Sequence, residues 1–409
     1  METTEANSLG FEGLGIQDVF MEVLKKHSFS VPTPIQYKAI PVALKGDDII
    51  GIAQTGTGKT LAFGIPMLQQ LWGGKSGIGL VILPTRELAM QVNETFQKFG
   101  QALGLRTAVL IGGESAYRQV VQLRRRPHVL IATPGRLLDM IDQKKVSVGQ
   151  AKIVVLDEAD RMLDMGFAPQ INRILGLLPA PADRQTMLFS ATMPSDIIAI
   201  ATKHMRMPVR VEVAPSGTMA EKVEQELFIV RKENKMQLLG EILNEYKGSV
   251  LLFSRTKHGA SKICHNLVGM GHQVAEIHAN RSLIQRIRAL EGFKKGIYRI
   301  LVATDIAARG IDVTGIELVI NFDLPDNSND YVHRIGRTGR AGMTGRAISL
   351  ATPDQRGNIR DIERIVRKTL PVKKHATLSV ELPAVSMAQR GFSGNRRRSY
   401  PRRPHFTRR

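Results

Sequence analysis

Residues 53–60 and 154–160 carry side chains that complement one another chemically. The first segment, Ala53-Gln-Thr-Gly-Thr-Gly-Lys-Thr60, has the form of a phosphate-binding loop, with Ala53 where the generic pattern has Gly. In such a loop the backbone N–H groups face the phosphates, here along Gln54, Thr55, Gly56, Thr57 and Gly58. Lys59 reaches the terminal phosphates and the Thr60 hydroxyl can ligate Mg²⁺. The second segment, Val154-Val-Leu-Asp-Glu-Ala-Asp160, supplies acids. Asp157 ends an apolar run and is placed to hold the ion, while Glu158 can orient or deprotonate an attacking water. A Gly-rich loop alone is also an ordinary strand-to-helix turn, and an acidic cluster alone is usually a solvated face. The two together describe a nucleoside triphosphatase.

The elements that must position these groups follow from the spacing of short apolar runs at residues 49–52, 80–83, 129–132, 153–156 and 187–189, with helix-like stretches such as 87–103 between them. That alternation predicts a parallel sheet with crossover helices. Each run is followed by a polar group: the loop at Gln54, Pro84-Thr-Arg86, Thr133-Pro-Gly-Arg136, Asp157-Glu158 and Ser190-Ala-Thr192. Ligands of open α/β sheets bind at the carboxyl ends of the strands, so these groups should share one edge. The pattern restarts with runs at 250–253, 274–277, 300–303, 318–322 and 347–350. Their followers are Ser254-Arg-Thr-Lys257, His278, Thr304-Asp305 and Asn321-Phe-Asp323. The second half has no phosphate loop, so one nucleotide per chain is expected. A Pro/Gly/Ser-containing linker is expected at 212–222 between domains at 1–211 and 223–372, with an extension and tail at 373–409.

The 409 residues carry a formal net charge of +20, which suits a polyanionic partner, either nucleic acid or an anionic membrane. No run of about 18 apolar residues is present and the N-terminus does not read as a secretion signal. A cytoplasmic protein without a membrane partner is expected. Cys264 is the single cysteine, which excludes an intrachain disulfide and a cysteine-based metal cluster. Residues 389–409 hold eight Arg, Phe392, Tyr400 and Phe406, and no acid. Too little apolar surface is available there to fold, and a disordered nucleic-acid tether is expected, with an inert solubilising tail as the alternative.

With these residues on view, the chain resembles the DEAD-box ATP-dependent RNA helicases over residues 11–371. The likeness rests on Phe11 with Pro32-Thr-Pro-Ile-Gln36, the loop at 53–60, Pro84-Thr-Arg-Glu-Leu-Ala89, Gly112-Gly113, Thr133-Pro-Gly-Arg136, Asp157-Glu-Ala-Asp160, Ser190-Ala-Thr192, Ala303-Thr-Asp-Ile-Ala-Ala-Arg-Gly-Ile-Asp312 and His333-Arg-Ile-Gly-Arg-Thr-Gly-Arg340. Spacing and the short basic tail are most similar to bacterial members of the RhlE type. The resemblance implies two tandem RecA-like domains, each a mostly parallel sheet flanked by helices, with ATP and Mg²⁺ as cofactors and RNA as partner. Gln36 matches the family's adenine reader, since a carboxamide can both donate to and accept from the adenine edge. Phe11 would stack on the base, although by composition it could equally be a core residue. Arg337 and Arg340 match the arginine fingers, and Asp305 matches the ribose contact. Ser190 and Thr192 would couple phosphate state to RNA state. For RNA the matching positions are Pro84, Thr85, Arg86, Gly113, Thr133, Pro134, Gly135 and Arg136, opposite Thr256, Arg286 and Thr304. Backbone and sugar contacts of this kind imply binding independent of sequence.

Three positions depart from the family pattern: Ser28 where Gly is frequent, Ala279 after His278 where Gly is usual, and Leu283 in place of the Gln of a Gln-x-x-Arg motif. Loss of that Gln is expected to weaken RNA coupling. The expected activity is RNA-stimulated ATP hydrolysis with local unwinding of short duplexes by a monomer. An ATP-gated RNA clamp is the rival. A DNA-translocating helicase is disfavoured, because the Gln36 segment and the Asp-Glu-Ala-Asp form belong to the RNA-acting family.

Overall fold

The computed structural model describes residues 10–54, 56–73, 77–213, 223–308, 316–339 and 345–378. Seven strands form the first sheet: β1 (Ile49–Ile52), β2 (Ile78–Ile82), β3 (Thr107–Leu110), β4 (Val129–Ala132), β5 (Ala151–Leu156), β6 (Gln185–Ser190) and β7 (Val209–Glu212). Seven more form the second: β8 (Val223–Ile229), β9 (Val250–Phe253), β10 (Val274–Ile277), β11 (Ile300–Ala303), β12 (Leu318–Asn321), β13 (Gly345–Ala351) and β14 (Val372–Lys373). The orders are β3-β4-β2-β5-β6-β1-β7 and β10-β11-β9-β12-β13-β8-β14. Adding seven to every label of the first order gives the second, so the two halves share one RecA-like topology.

Every described strand pair in both sheets is parallel. Parallel strands are buried on both faces and therefore read as continuous apolar runs. In β4, Val129 and Ile131 enter the apolar cluster on one face while Leu130 and Ala132 enter the cluster on the other. The same alternation divides Leu251 and Phe253 from Val250 and Leu252 in β9. Burying a branched aliphatic side chain contributes about 1.5–3 kcal/mol, so each sheet is held by apolar layers on both sides.

The strands β3, β7, β8 and β14 add to the expected apolar runs. The second unit continues past residue 372: Val372 and Lys373 form β14, which pairs with β8, and Leu378 is buried in the cluster on one face of that sheet. The boundary drawn at 372 therefore falls inside a strand. The linker expected at 212–222 starts inside β7, which runs to Glu212; the linker's residues 214–222, like the Arg-rich residues 379–409, lie outside the described residues. Among the described residues no helix is long and apolar enough to cross a membrane.

Candidate functional site

The phosphate loop begins where β1 ends. Gly56 and Gly58 take φ values of 81° and 91°, a region that favours glycine. Gly58 precedes the helix Lys59–Leu71, and a Cβ there would sit 2.4 Å from Gln36 Nε2. Gln36, 4% exposed, is the reason for that crowding. Its Nε2 donates to the Gly58 carbonyl at 3.0 Å and its Oε1 accepts from Thr33 N at 2.9 Å. The Thr57 hydroxyl donates to the Gln54 carbonyl at 2.7 Å, tying the loop across itself. Lys59 Nζ donates to the Ala53 carbonyl at 3.0 Å and stands 3.8 Å from Asp157 Oδ1. Thr55 lies outside the described residues.

The acids meet the loop from β5. Burial pushes the Asp157 carboxyl up to about 6; Lys59 pulls it back, and Glu158 and Asp160 add to the rise. Glu158 is held in the left-handed region at φ 53°, ψ 50°, a strained conformation for a non-glycine residue that clusters at functional sites. Burial raises its pKa too, but Arg161, Lys59 and Arg337 outweigh burial and leave it below the usual carboxylate range. The Arg161 guanidinium reaches Glu158 Oε2 at 2.7 Å. Asp160 binds the next strand's tail: its Oδ2 accepts from Ala191 N, Thr192 N and the Thr192 hydroxyl at 3.1, 2.9 and 2.9 Å. Its own N–H donates to the Ser190 hydroxyl at 3.3 Å. Arg337, 3% exposed, comes from the second half and lines one pocket with Lys59, Glu158, Asp160 and Arg161 of the first. Arg340 lies outside the described residues.

A larger cleft of about 520 Å³ also runs between the halves. Pro84, Thr85, Arg86, Gly112, Thr133, Gly135 and Arg136 line it from one side, with Ala279, Arg281 and Arg286 from the other. Burial first, then the charges of Arg286 and Arg136, hold the Arg86 pKa below its ordinary value. A Cβ on Gly112 would lie 3.2 Å from Arg86 Nη2, and Gly113, at φ 73°, has no room for a Cβ beneath the same guanidinium. The Gly pair is the bed on which Arg86 rests. Arg286 Nη1 crosses the cleft to Glu87 Oε1 at 2.8 Å, and its Nε is buried without a hydrogen-bond partner among the described residues.

The profile of DEAD/DEAH box helicases matches residues 33–200, and that of the helicase conserved C-terminal domain matches residues 234–342. The ATP-dependent rRNA helicase RRP3 of Debaryomyces hansenii is 41% identical over 372 residues, covering 90% of this chain and 78% of that one. The chain belongs to the DEAD-box helicase family. This DEAD-box protein is also 41% identical over 374 residues to the DEAD-box ATP-dependent RNA helicase CshA of Geobacillus kaustophilus, covering 91% and 80% of the two chains. Its fold matches S. cerevisiae Dbp5 bound to RNA and ADP BeF3 with a TM-score of 0.79 at 29% identity, covering 89% and 95% of the chains.

Within the DEAD-box protein, the sequence-derived residues fall into two groups. Lys59, Glu158 and Arg337 converge on one pocket, with Asp157 beside Lys59, and the cleft gathers Arg86, Arg136 and Arg286. Thr256 and Thr304 sit at the strand ends equivalent to Thr85 and Thr133 by the seven-strand shift, following β9 and β11 as those follow β2 and β4. Thr85 and Thr256 both cap the next helix, accepting from Leu88 N at 3.4 Å and Gly259 N at 3.0 Å. Phe11, 2% exposed, packs in the first half's apolar cluster, the core alternative for that residue. Asp305 is engaged by Arg334, whose Nε and Nη2 donate to its two oxygens at 2.5 and 2.7 Å.

Asp160, Arg161, Glu87 and Arg334 contact the candidate residues directly, and the sequence reading leaves them unassigned. Arg161 had a signal, since a cation three residues after Glu158 on a helix faces it. The second half carries an equivalent of the Lys59–Asp157 pair. Lys235 opens the helix after β8 as Lys59 opens the one after β1, and it stands 3.6 Å from Asp323 Oδ1, after β12, as Lys59 stands by Asp157 after β5. A 3₁₀ turn over Lys232–Asn234 replaces the glycine loop, and Lys235 donates to the Phe322 carbonyl at 2.7 Å. Among the described residues, the glycine-loop form of this arrangement belongs to the first half.

Proposed function

We propose that this chain is an RNA-stimulated ATPase that locally separates short RNA duplexes, with ATP in the first pocket and a single RNA strand in the arginine cleft. The observation that carries the reading is that both places are completed from both halves: Arg337 joins Lys59 and Glu158, and Arg286 joins Arg86 and Arg136. Each ligand therefore favours the same apposed state, and each raises the other's affinity. Lys59 binds the terminal phosphates and Glu158 orients the attacking water. With a pKa held low, Glu158 serves as a hydrogen-bond acceptor that fixes the water more than as a strong base. Arg337 stabilises the charge that spreads over the transferring phosphoryl oxygens. Gln36 reads adenine, and Asp305 keeps lone pairs for a ribose hydroxyl beyond those used by Arg334. Ser190 and Thr192, bound to Asp160, carry the phosphate state toward the second half.

Asp157 and Thr60 would hold Mg²⁺, which when bound would neutralise phosphate charge. A carboxyl raised by burial suits this role, because a divalent cation restores its charged form. In the cleft, Arg side chains and the Thr85, Thr133, Thr256 and Thr304 strand ends suit phosphates and sugars in preference to base edges. We also place the protein in the cytoplasm as a monomer, with residues 385–409 tethering RNA. Deleting that segment should weaken RNA binding and flatten its salt dependence without lowering the maximal ATPase rate.

The deciding experiment is steady-state ATP hydrolysis with no nucleic acid, with single-stranded RNA, and with DNA of the same sequence. Stimulation by RNA alone supports the reading; equal rates in all three would leave the nucleotide site standing and overturn what it is said to drive. Multiple-turnover strand displacement then separates the unwinder from an RNA clamp.

A further inference from the structure

The helix Leu283–Lys294 presents two apolar surfaces. Ala289, Leu290 and Phe293 enter the cluster of their own half. Leu283 does not: it is 7% exposed and belongs to the apolar cluster of the first half, with Ile287 packed against the same cluster. Residues four apart share a helix face, so Leu283 and Ile287 form one stripe, with Arg286 beside them. The helix Arg86–Gly100 of the first half touches this helix and contributes Leu88, Ala89 and Val92 to the cluster. Arg286 adds the 2.8 Å ion pair to Glu87 of that same helix. Ser282 caps the start of the helix, accepting from Gln285 N at 3.2 Å while Gln285 Oε1 accepts from Ser282 N at 2.9 Å, which fixes where Leu283 points.

We propose that Leu283 and Ile287 are an apolar latch that holds the two domains together over the RNA cleft. The inference rests on the closure reading above and gives Leu283 the opposite sign from the weakened coupling implied by loss of a polar contact. Apolar surface exposed when the halves part and removed from water when they meet stabilises the apposed state. RNA then needs to supply less of the free energy of closure, and half-maximal closure comes at a lower RNA concentration.

The test uses the full chain with one fluorophore on each domain, ADP with beryllium fluoride at saturation, and single-stranded oligouridine as the titrant. Energy transfer reports closure. Leu283→Gln and Ile287→Ser should each raise the midpoint about ten-fold, the order expected for removing one aliphatic side chain from a contact. Ile284→Gln, on the same helix but 58% exposed, should leave it unchanged. The melting temperature should hold in all three, because neither latch residue belongs to the second half's own cluster. Unchanged or lowered midpoints for Leu283→Gln and Ile287→Ser would overturn the latch. A wild-type protein that fails to close would instead overturn the reading on which the latch rests.

Discussion

Asp157 and Glu158 are adjacent carboxylates whose environments pull their protonation in opposite directions, and each predicts a different experiment. Glu158, kept ionised by Arg161, Lys59 and Arg337 against its burial, is the group we propose to orient the water. Glu158→Gln keeps the shape while weakening the acceptor, so turnover should fall by about two orders of magnitude or more while ATP binding persists. Near-normal turnover in single-turnover and steady-state assays would refute the role. Asp157 is pushed up to about 6. A carboxyl with a folded pKa above its unfolded value of about 3.9 contributes stability that is complete below about pH 4 and is lost as pH rises through about 6, each unit amounting to about 1.4 kcal/mol. In protein free of nucleotide and metal, Asp157→Asn should therefore gain stability relative to wild type between about pH 4 and 6 and hold that gain above. Urea unfolding at stepped pH measures the gap, and a flat gap would show that the proton is not taken up there.

At the scale of the element, the turn after the helix Asp18–Lys26 shows what a family departure costs. Ser28 N donates to the Lys25 carbonyl at 3.0 Å and Phe29 N to the Leu24 carbonyl at 2.9 Å, the paired bonds of a Schellman end, which put Ser28 in the left-handed region at φ 60°. Phe29 and His27 then pack on Phe99. Ser28→Gly should relieve the strain and raise stability by roughly 0.5–1 kcal/mol after allowing for glycine's freer unfolded chain; a fall in the unfolding midpoint would show that the serine is making an unseen contact. This turn also marks the limit of what the sequence alone discloses. Central strands such as β4 and β11 are legible because burial on both faces demands an unbroken apolar run. The strand β7, at the sheet edge, buries only Val211 fully, and β8 interleaves Gln225 and Glu226, which are buried against hydrogen-bonding partners. Neither has the pattern a run-based reading seeks. In the site, loop and acid pair were legible because phosphate chemistry restricts residue type, whereas Arg334 and Glu87 act through partners distant in sequence, which spacing does not reveal.

At the scale of the whole molecule, the duplicated topology is asymmetric: one copy carries the glycine loop, and the other has a 3₁₀ turn before Lys235 and lends Arg337 to the first copy's pocket. Lys59, Glu158 and Arg337 share a pocket across the junction of the two copies, so under the proposed mechanism hydrolysis is conditional on their meeting. Coupling of this kind is reciprocal by thermodynamic necessity. If RNA tightens binding of an ATP analogue by some factor, the analogue must tighten RNA by the same factor, with about 1–3 kcal/mol the usual range. The two factors should agree when measured by equilibrium titration from both directions, and unequal factors would mean that one ligand also binds a state outside the two considered. Arg337→Ala removes the contact that the second domain makes with the first domain's acids while leaving the arginine cleft intact. It should cut the ATPase rate by at least about a hundred-fold, as loss of an arginine finger does, and shrink the shared factor toward one with little change in RNA affinity in the absence of nucleotide. Retention of the full factor with the rate abolished would separate the chemistry from the coupling, placing the latter in the Ser190–Thr192 segment and the contacts of Arg286.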